Sequence, residues 1–376
     1  MAKVQVAQIS VPEGWIDFGI GQPHVDILPL EQLEEAARHR LRQGDRTILQ
    51  YGMQQGNGKF RNSLAQFLST HYEKAVDPDH LFITAGISQA LDQICALHTQ
   101  PGDTVFVEEP SYFLALRIFA DYGLKVISTP IDEDGLVIDA LEKNLVKYKP
   151  VFIYTIPAFH NPAGVTLSAS RREKLVSLSE KHDFLIVADE VYQLLAYTAT
   201  PPPPMTYFDK SARVLSLGSF SKILAPGLRL GWIQAKPSLL EPFVVCGYLD
   251  SGGGLNPFVS SIVESVIELG LQKDYLNFLK KTYHNRMVEL SKALREHIPL
   301  INYTDPDGGY FIWSYLPEGT DAEIKLAEAN KHQVGFQPGI KFSSAAGLRN
   351  YMRFCFAFYG EADLLEGVER LSRVIR

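Results

Sequence analysis

Lys222 is the residue in this chain with the most chemical promise. It closes the run Ser219-Phe220-Ser221-Lys222, and Arg229 follows seven residues later in Pro226-Gly227-Leu228-Arg229-Leu230-Gly231-Trp232. An amine withdrawn from water has its ammonium form disfavoured, which makes it a nucleophile toward carbonyls. Two hydroxyls and a guanidinium fork close by are the donors a phosphate needs. Taken alone, Lys222 reads as an ordinary solvated lysine; the setting singles it out. Asp189 opens Asp189-Glu190-Val191-Tyr192 directly after Phe184-Leu185-Ile186-Val187-Ala188, the most apolar run of the chain. Ligands of open α/β sheets bind beyond the carboxyl ends of strands. A carboxylate there serves a ligand, caps a helix or belongs to a plain loop. Pro157-Ala158-Phe159-His160-Asn161-Pro162-Ala163-Gly164 ends a second apolar run, and Ala85-Gly86-Ile87-Ser88 joins a strand to a helix. Free backbone N–H groups and the helix dipole make such a junction a phosphate site.

The elements that must position these residues are legible as short apolar runs alternating with helical patterns. Strands are predicted at 81–84, 104–107, 125–130, 151–156, 184–188, 214–217 and 230–235, with helices at 88–97, 112–122 and 170–182. Continuous apolar strands interleaved with helices indicate a mostly parallel sheet covered on both faces. After about Leu255 the pattern changes to long helices at 257–271 and 274–297, a helix near 321–332, and a strand at 351–358. The fold class expected is α/β: a large domain with a mostly parallel sheet covered by helices, plus a smaller α+β domain from the C-terminal part and the N-terminal segment. The expected division is 1–40 as an N-terminal segment joining the small domain, 41–274 as the large domain, and 275–376 as the small one.

Composition narrows the function. The 376 residues are 46% hydrophobic and 21% charged, which excludes a disordered or disulfide-stapled chain. The balance of 36 Lys+Arg against 43 Asp+Glu, net −7, is not that of a nucleic-acid binder. Cys95, Cys246 and Cys355 stand far apart without metal-ligand spacing, so no metal is expected and the thiols read as free, in a reducing compartment. Met1 to Ser10 shows no charged leader before an apolar run, and no stretch is long and apolar enough to span a membrane. The expectation is a soluble, cytoplasmic protein. Gly52 to Lys59 has neither the spacing nor the hydroxyl of a nucleotide P-loop. Asp132-Glu133-Asp134-Gly135 reads as a turn, Pro201 to Pro204 as a rigid surface loop, and Gly252-Gly253-Gly254 as a flexible one.

Taken in order, Asn161-Pro162, Asp189-Glu190-Val191-Tyr192, Ser219-Phe220-Ser221-Lys222 and Arg229-Leu230-Gly231 resemble the fold-type-I, pyridoxal-phosphate-dependent aminotransferases of class I/II. The likeness is to the branch with 2-aminoadipate and kynurenine aminotransferases and the aminotransferase-like half of MocR-type regulators. It covers nearly the whole chain, from about Phe18 to Arg353. The resemblance implies pyridoxal 5'-phosphate as cofactor, with Lys222 bonded to its aldehyde and Asp189 paired with its ring nitrogen, so that the ring accepts electrons. It implies Asn161 and Tyr192 at the ring hydroxyl, Tyr112 stacked on the ring, and Ser219, Ser221, Arg229 and the backbone of Ile87 and Ser88 at the phosphate. Ile87 departs from the hydroxyl common at that position, so a side-chain bond is lost there while the backbone donor survives. Arg353 is implied for the substrate α-carboxylate, assisted by Asn161 and the backbone of Gly21. On strand alternation Met352, Phe354, Phe356 and Phe358 share one face, leaving Arg353 on the other with small Cys355 and Ala357. Tyr51 matches the tyrosine that reaches the phosphate of a neighbouring subunit, which implies a homodimer with shared active sites.

The implied reaction is ping-pong transamination. An L-amino acid displaces Lys222, the freed amine takes the Cα proton, a 2-oxo acid leaves, and a second 2-oxo acid such as 2-oxoglutarate takes the amino group back. Two rivals use the same motifs. A C–S lyase, or another elimination enzyme, needs the same lysine and aspartate. A non-catalytic MocR-type regulator carries a DNA-binding domain ahead of this part, and about 17 residues before Phe18 are too few for one. Gln22-Pro23-His24 departs from the Asp-containing version of the specificity stretch. Neutral, aromatic and 2-aminoadipate-like substrates all stay open.

Overall fold

The apolar runs assemble into an eight-stranded sheet among residues 11–375, which this computed structural model describes. In spatial order its strands are Leu81–Thr84, Gly231–Gln234, Val214–Ser219, Leu185–Asp189, Phe152–Thr155, Thr104–Glu109, Lys125–Asp132 and Gly135–Leu136. The five from Val214–Ser219 to Lys125–Asp132 pair parallel, while Gly231–Gln234 and Gly135–Leu136 run antiparallel to their neighbours. Parallel pairing requires crossovers. Helices Phe113–Asp121, Ile138–Lys147 and Ala169–His182 supply three of them, and the loop with the short helix Met205–Tyr207 supplies the one from Leu185–Asp189 to Val214–Ser219.

Alternation along each strand sends side chains to two separate cores. Phe152, Tyr154, Val187 and Leu215 pack on one face with Phe119 and Ile94. Ile153, Ile186, Ala188 and Val214 pack on the other with Leu175 and Leu141. Burial on both faces explains why these strands read as unbroken apolar runs. Because the strands are parallel, their carboxyl ends open on one edge, where the chain delivers Asn161, Asp189 and Lys222.

The predicted change of character past Leu255 is borne out. Helices Pro257–Glu268 and Leu271–His297 are separated by Gly270, whose left-handed φ of +77° ends the first helix earlier than its apolar pattern does. A second sheet orders Asn302–Tyr303, Phe311–Tyr315, Tyr351–Cys355 and Gln337–Pro338, all antiparallel. The predicted strand 351–358 stops at Cys355. Ile16–Asp17 pairs parallel with Val334–Gly335, and Phe18 packs edge-on against Phe354 at 5.8 Å. Helix Leu30–Arg42 instead lies on Pro257–Glu268, where Arg40 reaches Glu264 at 3.1 Å and Glu268 at 3.0 Å. The N-terminal segment therefore bridges both parts of the molecule. The leader expectation for Met1 to Ser10 lies outside the described residues, as do the ends of segments 1–40 and 275–376.

Three further expectations resolve here. The Gly52–Lys59 stretch is a helix start, with Asn57 accepting from the N–H groups of Lys59 and Phe60 ahead of Gly58–Tyr72. The glycine triplet is pinned rather than free: Gly254 donates to the Gly52 carbonyl at 2.8 Å. The proline run is tethered, with the carbonyls of Pro202 and Pro203 taken by Gln193 and Arg172. Among the described residues no acidic or thiol cluster has metal-ligand geometry, and no helix is long and apolar enough to cross a membrane.

Candidate active site

Lys222 is aimed by its neighbours. Past strand Val214–Ser219 the chain turns, with the Leu224 N–H on the Phe220 carbonyl at 2.8 Å, and Phe220, Ile223 and Leu224 are buried. Phe220 is seated between Phe60 and Trp232. These anchors leave Lys222 to turn into the pocket, where its Nζ donates to the Gly21 carbonyl at 2.7 Å and stands 5.2 Å from the Tyr310 ring centre. The Tyr310 hydroxyl donates in turn to the Lys222 carbonyl at 3.2 Å. Burial lowers the Lys222 pKa to about 8, with the Arg353 charge acting the same way and Cys355 and Asp189 opposing it. The lowered pKa raises the neutral fraction of the amine, the state a nucleophile requires.

Asp189 ends its strand 4% exposed. Its Oδ2 accepts from the Tyr154 hydroxyl at 2.8 Å and its Oδ1 from the Val191 N–H at 3.3 Å. Burial still raises its pKa to about 6, against those bonds and the charges of Lys222 and His160. A buried carboxylate so placed is completed by a cation. Tyr112 begins the helix Phe113–Asp121, and burial with the Asp189 charge pushes its phenol up to about 12. Tyr192 is buried, its ring 5.3 Å from Tyr310 and 5.9 Å from Phe311.

A second corner collects donors. Ser219 and Ser221 share a 2.9 Å hydroxyl bond, and the Ser221 N–H donates to Ser219 Oγ at 3.1 Å. Arg229 lies across the strand-to-helix junction, donating to the carbonyls of Ala85 at 3.1 Å and Pro226 at 3.0 Å. Gly86, at φ +91°, makes room for it; a Cβ there would sit 2.7 Å from Arg229 Nη2. Helix Ile87–His98 follows with no side-chain cap, so the first-turn N–H groups of Ile87 and Ser88 face outward beside the arginine. Uncapped helix amides, two hydroxyls and an arginine suit a phosphate. A buried carboxylate with no ion pair among the described residues suits a ring nitrogen, and a lysine with lowered pKa suits an aldehyde. The residues fit pyridoxal phosphate.

Arg353 is 3% exposed and lies between two rings, 4.1 Å from the centre of Phe311 and 5.0 Å from that of Phe342. Its Nη1 donates to Asn161 Oδ1 at 3.0 Å and its Nη2 to the Gly19 carbonyl at 2.7 Å, while Nε has no partner among the described residues. Arginine has no acceptor, so the contact fixes the Asn161 amide with its oxygen toward Arg353 and its NH2 outward. A buried guanidinium held by neutral oxygens is a receptor for a carboxylate. The backbone of Gly21 lies at this site too, its carbonyl accepting from Lys222 Nζ at 2.7 Å. Tyr51 stands outside the pocket of its own chain, 83% exposed, beside the Gly52–Gly254 bridge.

Residue spacing did not show several neighbours of the site. Tyr154 sat unnoticed in an apolar run, although a hydroxyl there was its signal. Tyr310 and Phe311 come from the run Gly308-Gly309-Tyr310-Phe311, whose motif gives no sign of the site, and Phe342 comes from the short helix Gly339–Phe342.

Residues 13–371 match the family described as aminotransferase class I and II. The chain belongs to that family. It is a pyridoxal-phosphate-dependent enzyme of the transaminase class, in the α/β fold of its relatives. This aminotransferase is 34% identical to the aromatic-amino-acid aminotransferase 1 of Thermococcus litoralis, over 96% of the chain and 88% of the relative. The kynurenine aminotransferase of Pyrococcus horikoshii, solved with PMP, superimposes with a TM-score of 0.90 at 33% identity, covering 96% of this chain and 90% of that one. The α-aminoadipate aminotransferase of Thermus thermophilus, solved with N-(5'-phosphopyridoxyl)-L-leucine, gives 0.87 at 30% identity, covering 96% and 92%.

Proposed function

We propose that this enzyme carries out ping-pong transamination between an L-amino acid and a 2-oxo acid through the residues gathered around Lys222. The observation that carries the reading is one pocket holding a buried amine of lowered pKa, a buried carboxylate and a buried guanidinium. Bound pyridoxal phosphate supplies the electron sink for the pair left behind when Cα loses its proton. Lys222 would hold the cofactor and, once displaced by the substrate amine, would act as the base that takes the Cα proton. Asp189 keeps the ring nitrogen protonated. Tyr192 and the outward Asn161 amide bind the ring oxygen, and Tyr112 covers the ring. Ser219, Ser221, Arg229 and the amides of Ile87 and Ser88 hold the phosphate. Arg353 takes the substrate α-carboxylate.

Arg353→Ala is expected to raise KM for several amino acids by about tenfold to a hundredfold, roughly 1.4–2.7 kcal/mol, with a smaller effect on kcat. Steady-state kinetics check this, and an unchanged KM removes Arg353 from the carboxylate site. The reading as a whole is tested by the products. With excess amino acid and no acceptor, holoenzyme should release one equivalent of 2-oxo acid per site and no ammonia. Continuous ammonia release would assign elimination chemistry instead.

The same proposal includes a homodimer in which Tyr51 reaches the phosphate of the neighbouring subunit. Exposed Leu49, Tyr51 and Met53, clustered at the Gly52–Gly254 bridge, support it. It also includes a cytoplasmic location, supported by three free cysteines of which Cys95 and Cys355 are buried. 2-Oxoglutarate as acceptor and the division into 41–274 and 275–376 complete it, with the start of the N-terminal segment joining the latter through Ile16–Asp17.

A further inference from the structure

Tyr154 is the member of strand Phe152–Thr155 whose hydroxyl points along the sheet toward the site. The register sets Tyr154 beside Val187 of the parallel strand Leu185–Asp189, so Asp189, two residues on, lies on the same face. The phenol reaches it and donates to Oδ2 at 2.8 Å. The ring is fully buried and held edge-on by Phe119 at 5.6 Å, which leaves the hydroxyl one direction. Burial, reinforced by the Asp189 charge, keeps this phenol protonated, so it is a donor at every working pH. A phenylalanine would fill the same apolar space without a buried polar atom to satisfy. The hydroxyl therefore calls for an explanation beyond packing.

We propose that Tyr154 is a positioning residue for the transamination: its hydroxyl fixes Asp189 Oδ2, holds the carboxylate as the anion, and leaves Oδ1 for the ring nitrogen of the cofactor. The proposal rests on the assignment of Asp189 to that nitrogen. Other groups face the carboxylate: Lys222 from beyond the strand Val214–Ser219, His160 from the loop after Phe152–Thr155, Tyr112 from the helix start, and Glu190 and Tyr192 from its own loop. Glu108 faces Tyr154 itself. All of these stay in place when the one hydroxyl is removed.

The test is Tyr154→Phe, read first without turnover, as the affinity of apoprotein for pyridoxal phosphate across the acid range. A donor to the carboxylate favours its anion. Removing the donor raises the Asp189 pKa, and the fall in affinity on acidification moves to higher pH by about one unit, with affinity at mildly acidic pH down about tenfold. In turnover kcat should fall about tenfold while KM stays within about twofold. In an Asp189→Asn background the same substitution should add nothing. Coincident pH curves for wild type and variant would overturn the proposal, as would a full additional loss in the Asp189→Asn background. Should Tyr154→Phe fail to fold, a ring-fluorinated tyrosine at position 154 keeps the shape and donates more strongly. It must move the acid limb the opposite way, and no movement counts against the proposal. Wild-type apoprotein that does not bind the cofactor would instead bring down the assignment of the site itself.

Discussion

Lys222→Ala should lower transamination by at least about ten-thousandfold while the protein stays folded. Lys222 combines two tasks that no neighbour can assume. Its amine is held 2.7 Å from the Gly21 carbonyl, and its pKa is lowered to about 8, so it is both placed and available as a base. Arg353 and Arg229 cannot give up a proton in the working range, and Tyr112 is pushed up to about 12. Removing the amine therefore removes the base from the pocket along with the anchor. The fold should survive, because the buried Phe220, Ile223 and Leu224 hold the turn. Single-turnover mixing of the variant, loaded with cofactor, with amino acid would show this as a loss of the chemical step. Recovery of part of the rate with added small primary amines is expected, since they replace the proton carrier and not the fold. A variant within about tenfold of wild type would place the base elsewhere.

The second large effect is expected at Asp189. Asp189→Ala should cost about a hundredfold to a thousandfold in kcat, the scale of losing one preorganised charge at a reacting centre. Asp189→Asn separates charge from size: its amide can still accept from Tyr154 or Val191, yet it brings no anion to the ring nitrogen. Both should be nearly equally slow. The apoproteins should remain folded at neutral pH. In wild type the folded pKa of Asp189 is raised to about 6, above its ordinary value of 3.8. Its ionised form is thus disfavoured by the fold, and wild-type apoprotein loses stability as pH rises from about 4 to about 6. Asp189→Asn should remove that contribution, seen as a flatter dependence of Tm on pH across this window. Kinetics within a few-fold of wild type for either variant would remove Asp189 from the electron-sink role.

These two residues stand out because Asp189 ends, and Lys222 closely follows, a strand whose apolar run is unmistakable. Phe184–Ala188 and Val214–Leu217 read as buried strands, and parallel strands place their carboxyl ends together. Arg353 was legible because alternation along Met352–Phe358 put it opposite the core face. The bond from Tyr154 to Asp189 depends on the register between two strands, and periodicity within one strand says nothing about what lies beside it. Phe342 reaches Arg353 through a turn of the chain, and the Gly19 carbonyl does so through backbone alone; neither leaves a mark in residue type. The glycine triplet misled for the same reason. Glycine marks both loose chain and close approach, and the contact of Gly254 with Gly52 decides between them.

The direct test of the central claim is to locate the lysine that holds the cofactor. Holoenzyme reduced with borohydride, digested and mapped by mass spectrometry should carry the phosphopyridoxyl group on the peptide containing Ser219-Phe220-Ser221-Lys222, one per chain, with Lys222→Ala unlabelled under the same treatment. Label on any other lysine, or equal labelling of the Lys222→Ala variant, would contradict the account.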